Sequence, residues 1–143
     1  MGSKSLFVIK PEGFQNRFKI LQRLIDEKFD ILIHKELRLN KDMAYTFYSS
    51  KDKDEPWFDD YLNHMCSGKI VVIVVEKEGD VVVKLLDLIG AKDPALAEVG
   101  SIRKEYGIPG IQKNGIYFNA VSTSTNEEMA KKDIAFFFPG RFK

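Results

Sequence analysis

With 143 residues, the chain is long enough for one domain with an apolar core and too short for two comfortable ones. Its 22 Lys and Arg stand against 21 Asp and Glu, and the formal charge of +1 gives no bulk argument for nucleic acid or an anionic membrane. A composition of 44% hydrophobic and 30% charged residues is globular, and a single cysteine, Cys66, excludes an internal disulfide and suits a reducing compartment. No signal-peptide layout precedes the first apolar stretch, and the run Ile70 to Val75 is far too short to cross a bilayer. The expectation is one cytoplasmic domain spanning residues 1–143, with no membrane partner and no strong nucleic-acid signal.

Ser5 to Lys10 reads as a first strand, closed by Pro11 and a turn at Glu12-Gly13. Phe14, Phe18, Leu21 and Ile25 recur at helical spacing and predict a helix to about Lys28. A second strand lies within Phe29 to Leu39. Asn40 is placed to cap a helix through Tyr48, and Ser49 to Glu55 reads as a solvated loop. Pro56 opens a helix to about Cys66, with Gly68 as its stop. Ile70 to Glu76, rich in β-branched residues, reads as a central strand, and Val81 to Ile89 as a helix ended by Gly90. From Ala91 to Lys113 the periodicity fades into a long loop of the kind that often carries function. Gly115 to Val121 predicts a last strand. Asn126 to Phe138 predicts a last helix, for which Ser124 with Glu127, or Thr125 with Glu128, supplies a capping box.

Among chemical motifs, His34 and His64 have no metal-ligand spacing to another His, Cys or carboxylate. Gly107, Gly110 and Gly115 lack the context of a phosphate loop, and Cys66 has no strong basic neighbour in sequence. Lys10 ends the first strand, where an ammonium can face a cleft or simply cover a sheet edge. Arg103 lies in the long loop and has the fork geometry for a phosphate. Trp57 and Tyr61 share a helix face and suit either base stacking or core cover.

In order along the chain, Phe7-Val-Ile-Lys-Pro-Glu-Gly13, Met65-Cys-Ser-Gly68, Gly90-Ala-Lys-Asp-Pro94, Val99-Gly-Ser-Ile-Arg103 and Asn119-Ala-Val121 resemble the nucleoside diphosphate kinases. The resemblance runs from about Ser5 to Phe138. It implies an α+β fold, a ferredoxin-like sandwich with a four-stranded antiparallel sheet covered by helices. It also implies transfer of the terminal phosphoryl of ATP to nucleoside diphosphates through a phosphohistidine. Mg²⁺ rides on the nucleotide phosphates, and the assembly is a homo-oligomer, at least a dimer. Residue by residue, it implies that Lys10 meets the transferring phosphate, Tyr48 lies close to the phosphates, Arg103 binds phosphate and Asn119 contacts the sugar. Trp57 stands where a phenylalanine stacks on the base.

The departures are chemical. The family strand continues Asn-x-x-His-Gly-Ser-Asp, whereas here Ser122 stands at the nucleophile position. Leu86 stands where a second phosphate-gripping arginine is implied, Lys92 where a hydroxyl is, and Tyr61 where an apolar residue flanks the base. The loop around Gly107 to Lys113 is longer, and Asp133, near the place of the carboxylate that orients the histidine, reads as a helix-surface acid. A serine without an adjacent base is a poor nucleophile. The expectation from Ser122 and Leu86 is therefore a pseudoenzyme without phosphohistidine transfer, retaining weak nucleotide binding or an assembly role. The alternative is an active nucleoside diphosphate kinase.

Overall fold

In the computed structural model, which describes residues 2–112 and 115–142, four strands form one antiparallel sheet in the order β2-β3-β1-β4. Strand β1 is Gly2–Ile9, β2 Asp30–Leu37, β3 Ile70–Glu78 and β4 Val121–Thr123. Between β1 and β2 run a 3-10 turn, Pro11–Asn16, and helix α1, Arg17–Asp26. Helices α2 (Lys41–Asp52) and α3 (Phe58–Met65) join β2 to β3. Helices α4 (Val81–Ile89) and α5 (Ile102–Tyr106) precede β4, and α6 (Glu127–Phe137) closes the fold. This is the α+β, ferredoxin-like arrangement.

The strand at residues 70–75 is apolar throughout because it is covered on both faces. Val71, Ile73 and Val75 pack with Phe7 and Ile9 against Ile20 and Leu24 of α1 and Leu85 and Ile89 of α4. Ile70, Val72 and Val74 pack with Leu6 and Val8 against Phe47 of α2, Leu62 of α3 and Phe137 of α6. The period-2 alternation of side chains thus builds a core on each side of the sheet.

Local chemistry sets the element ends. Asn40 caps α2 by accepting from the Met43 N–H at 2.8 Å, and Asp80 caps α4 by accepting from Val83 at 3.2 Å. Gly90 ends α4 at φ 86°, and a Cβ there would meet the Ser101 Oγ at 2.6 Å, so only glycine fits.

Four local expectations are corrected. Helix α2 runs on to Asp52, through the stretch 49–52 read as loop. The long loop contains α5, capped by Ser101, whose Oγ accepts from Lys104 at 3.3 Å. The last strand is Val121–Thr123, not Gly115–Val121: Ala120 takes φ 72° and breaks the extended path. The longer loop is instead pinned back on itself by the Ile111–Tyr117 bridge and by Ile108 N–H donating to Phe118 O at 2.8 Å, and Lys113 at its end lies outside the described residues. Finally, α6 has no capping box from Ser124 or Thr125. Asn126 is the cap, accepting from the Met129 N–H at 2.8 Å.

Candidate active site

A cleft of about 520 Å³ opens beside the β1–β4 end of the sheet, a volume suited to a nucleotide-sized ligand. Lys10, Tyr48, Trp57, Tyr61, Lys92, Arg103, Asn119 and Ser122, together with Leu86, all line it, so the residues that the family resemblance assigns to the nucleotide site converge on one place.

Lys10 follows the last residue of β1 and is 3% exposed. Its backbone N–H donates to Ala120 O at 2.8 Å, which ties the strand end to the turn before β4. Its ammonium donates to Asn119 Oδ1 at 3.0 Å and lies 4.9 Å from the centre of the Tyr61 ring. The Glu12 Oε2 is 3.6 Å away and offsets the charge of this buried ammonium. Asn119 in turn donates from Nδ2 to Lys92 O at 2.9 Å, so one carboxamide joins β1, the β4 turn and the loop after α4.

Arg103, near the start of α5, reaches across to the sheet. Its Nε and one terminal nitrogen donate to Val121 O at 3.2 and 2.9 Å, and the other terminal nitrogen donates to Gly90 O at 3.3 Å. Of the five guanidinium N–H groups, one on each terminal nitrogen is left over for a ligand. Burial lowers its pKa to about 10, against the influence of Tyr61 and Glu12, and it remains cationic at neutral pH.

Tyr48 is buried on α2, edge-on to Tyr61 with ring centres 5.1 Å apart. Burial first, then the neighbouring Tyr61, pushes its phenol well above the ordinary value, so it is a neutral donor. Lys92 is exposed, with its ammonium 5.2 Å from the Trp57 ring centre and 5.6 Å from that of Tyr117. Asp52 is a cleft carboxylate that sequence reading missed. Burial raises its pKa, while the charge of Lys92 opposes the shift.

The nucleophile position is on β4, where Ser122 pairs in register with Val8. Two residues on, the buried Ser124 donates to Asp133 Oδ2 at 2.7 Å, and Lys51 Nζ holds Asp133 Oδ1 at 2.8 Å. Asp133 is 3% exposed, so its reading as a helix-surface acid is corrected: it is a buried carboxylate joining β4, α2 and α6. Only the register of Ser124 nine residues before Asp133, across a helix cap, could have signalled this pair.

Neither histidine lines the cleft. His34 is exposed on β2, and His64 is engaged with Glu12. Cys66 is a half-buried free thiol whose pKa burial raises, against Lys41 and Arg38, as suits a packing residue.

Residues 3–142 match the family model described as nucleoside diphosphate kinase. The chain belongs to the nucleoside diphosphate kinase family. A nucleoside diphosphate kinase of Helicobacter pylori (strain Shi470) is 36% identical over 143 residues, covering 99% of this chain and 98% of its own. Among solved structures, the Aquifex aeolicus nucleoside diphosphate kinase is 30% identical with a TM-score of 0.87, covering 98% of this chain and 97% of its own. A halophilic nucleoside diphosphate kinase from Halobacterium salinarum, in complex with CDP, is 27% identical with a TM-score of 0.85 over 96% of this chain and 88% of its own. These full-length matches to kinases overturn the expectation, drawn from Ser122 and Leu86, of a pseudoenzyme confined to weak binding or assembly. What Ser122 marks is a difference at one side chain of the cleft, a short hydroxyl where the resemblance implies an imidazole ring.

Among the described residues, no helix is long and apolar enough to cross a membrane.

Proposed function

We propose that the chain binds nucleoside di- and triphosphates in this cleft and transfers the terminal phosphoryl of ATP to a nucleoside diphosphate. The observation that carries the reading is the convergence of Lys10, Tyr48, Arg103 and Asn119 on one cleft, in a chain matched to kinases over its whole length.

Each residue has a physical part. Lys10 and Arg103 are cations already oriented by protein contacts, so they offset charge on the phosphoryl oxygens without reorganising. Tyr48 donates a neutral hydroxyl toward the same oxygens. The indole of Trp57 offers a stacking face for the base, with Tyr61 set edge-on to it at 5.7 Å. Lys92 supplies an ammonium at the mouth of the cleft, which offsets the loss of an arginine at Leu86. Mg²⁺ carried on the nucleotide phosphates would supply charge neutralisation there. The half-buried Asp52 carboxylate is the cleft residue suited to accept hydrogen bonds from its water shell.

The protein would work in the cytoplasm as a homo-oligomer, at least a dimer. Phe18 and Ile25 of α1 and Leu32 on the edge strand β2 are exposed apolar side chains that a second copy would cover.

The test is GTP formation from ATP and GDP with Mg²⁺, in the wild type and in Lys10→Ala and Arg103→Ala. The expected result is saturable turnover that drops at least about tenfold in kcat/KM in each variant, the scale of one charge-assisted hydrogen bond. Wild-type GTP formation no faster than in Lys10→Ala would sink the reading.

A further inference from the structure

Behind the cleft lies a second layer of polar contacts that the phosphoryl-transfer reading does not use. Glu12 sits in the 3-10 turn after Lys10, with its side chain 6% exposed. Its Oε1 is 2.7 Å from His64 Nε2, and its Oε2 accepts from the Ala120 N–H at 3.1 Å. The same Oε2 is 3.6 Å from the Lys10 ammonium. His64, on α3, stacks its ring on Phe118 at 4.4 Å between centres and 13° between planes. One imidazole therefore holds the carboxylate behind Lys10 and also the residue immediately before Asn119.

The turn being held is one that would not hold itself. Ala120 takes φ 72°, a left-handed conformation that costs a residue bearing a Cβ. Both sides of it are clamped by the segment that follows β1. Lys10 N–H donates to Ala120 O, Glu12 takes the Ala120 N–H, and Gly13 packs so closely that a Cβ there would meet Ala120 O at 2.6 Å. The strained turn fixes where Asn119 points and where β4 begins, and hence where Ser122 stands.

We propose that His64, acting through Glu12, is a positioning residue that sets the Lys10 ammonium and the Asn119–Ala120 turn in the geometry that grips nucleotide phosphate. His64 does not touch the ligand, since it lies outside the cleft lining. Its imidazole Nε2 supplies the hydrogen bond that stops the Glu12 carboxylate from turning toward Lys10 alone. The proposal rests on the nucleotide-binding reading of the cleft, and the experiment separates the two.

Mg²⁺-ADP binding is measured by calorimetry in the wild type, His64→Leu, His64→Gln, Lys10→Ala and the His64→Leu/Lys10→Ala double variant. Glutamine keeps an amide N–H where the imidazole Nε2 stands, whereas leucine keeps only bulk. The expected result is a Kd about tenfold higher in His64→Leu, the scale of one hydrogen bond to a charged group, with His64→Gln within about twofold of wild type. The double variant should lose clearly less affinity than the two single losses combined, since part of the effect of the histidine passes through the lysine and part through the Asn119–Ala120 turn. Equal affinity in His64→Leu and wild type, or full additivity with Lys10→Ala, overturns the proposal.

Should the wild type not bind ADP at all, the reading of the cleft fails, and the apo protein decides the positioning role by NMR. Movement of the Lys10 ¹⁵Nζ signal and about tenfold faster exchange of the Ala120 amide in His64→Leu, reversed in His64→Gln, supports it. Unchanged signals in His64→Leu overturn it.

Discussion

Glu12 links the stability of the site to pH. Burial pushes its carboxyl up, but the hydrogen bond with His64 and the nearby Lys10 ammonium pull it down further, leaving it below its ordinary value of 4.5. A carboxyl depressed in the folded state contributes stability that is fully present above 4.5 and is lost as pH falls through the lower folded value. Urea melts of the wild type and Glu12→Gln should therefore differ at about pH 5 and converge as the solution is acidified below that. A gap that widens on acidification would contradict the assignment. None of this was legible in the sequence: Glu12 and His64 are 52 residues apart, and nothing local marks them as partners. Lys10, Arg103 and Asn119, by contrast, were legible only as a set. Each alone reads as an ordinary surface or loop residue, and the order of motifs around them gives them a shared site.

At the scale of elements, legibility followed burial. Ile70 to Val75 could be assigned from its composition because both faces of β3 are covered, which leaves no room for a polar alternation. Residues 49–52 were misread for the opposite reason. Their polar side chains look solvated, yet Lys51 turns inward to Asp133 and Asp52 lines the cleft, so a helix continues where hydrophobicity gives no sign of it. The β4 error has a backbone cause: the apolar stretch before Asn119 has the composition of a strand, and the left-handed Ala120 separates it from the sheet.

The start of α6 makes a direct check on cap assignment. Because Asn126 accepts from Met129 while Ser124 is engaged with Asp133, Asn126→Ala should lower stability by about 1 kcal/mol. Ser124→Ala should instead weaken the tie between β4 and α6 without fraying the helix start. Helix-start amide exchange measured in the two variants distinguishes these roles, and faster exchange at the α6 start in Ser124→Ala would restore the capping-box reading.

At the scale of the whole molecule, the sheet order β2-β3-β1-β4 leaves β2 as an open edge beside α1. Phe18, Ile25 and Leu32 are exposed, and the proposed dimer would cover them with a second copy. Sedimentation should give a mass of at least twice the 16.4 kDa chain, and Phe18→Asp should shift it toward the single chain. A wild-type mass of 16.4 kDa at assay concentration would remove the oligomer from the account.

The fold places β1, the β4 turn, α2, α3 and the α4–α5 loop around a single cleft. The claim that this cleft moves phosphoryl groups depends on what happens beside Ser122. The direct measurement follows the label of γ-labelled ATP mixed with GDP and Mg²⁺, in the wild type, Arg103→Ala and Ser122→His. The account predicts label in GTP with the wild type, about tenfold less with Arg103→Ala, and more with Ser122→His, because an imidazole is the better phosphoryl acceptor. Acid stability of any trapped phosphoprotein then identifies the accepting atom, since a phosphoserine ester survives acid and a phosphorus–nitrogen bond does not. Label that stays in ATP, or leaves it only as free phosphate in the wild type, would contradict the account.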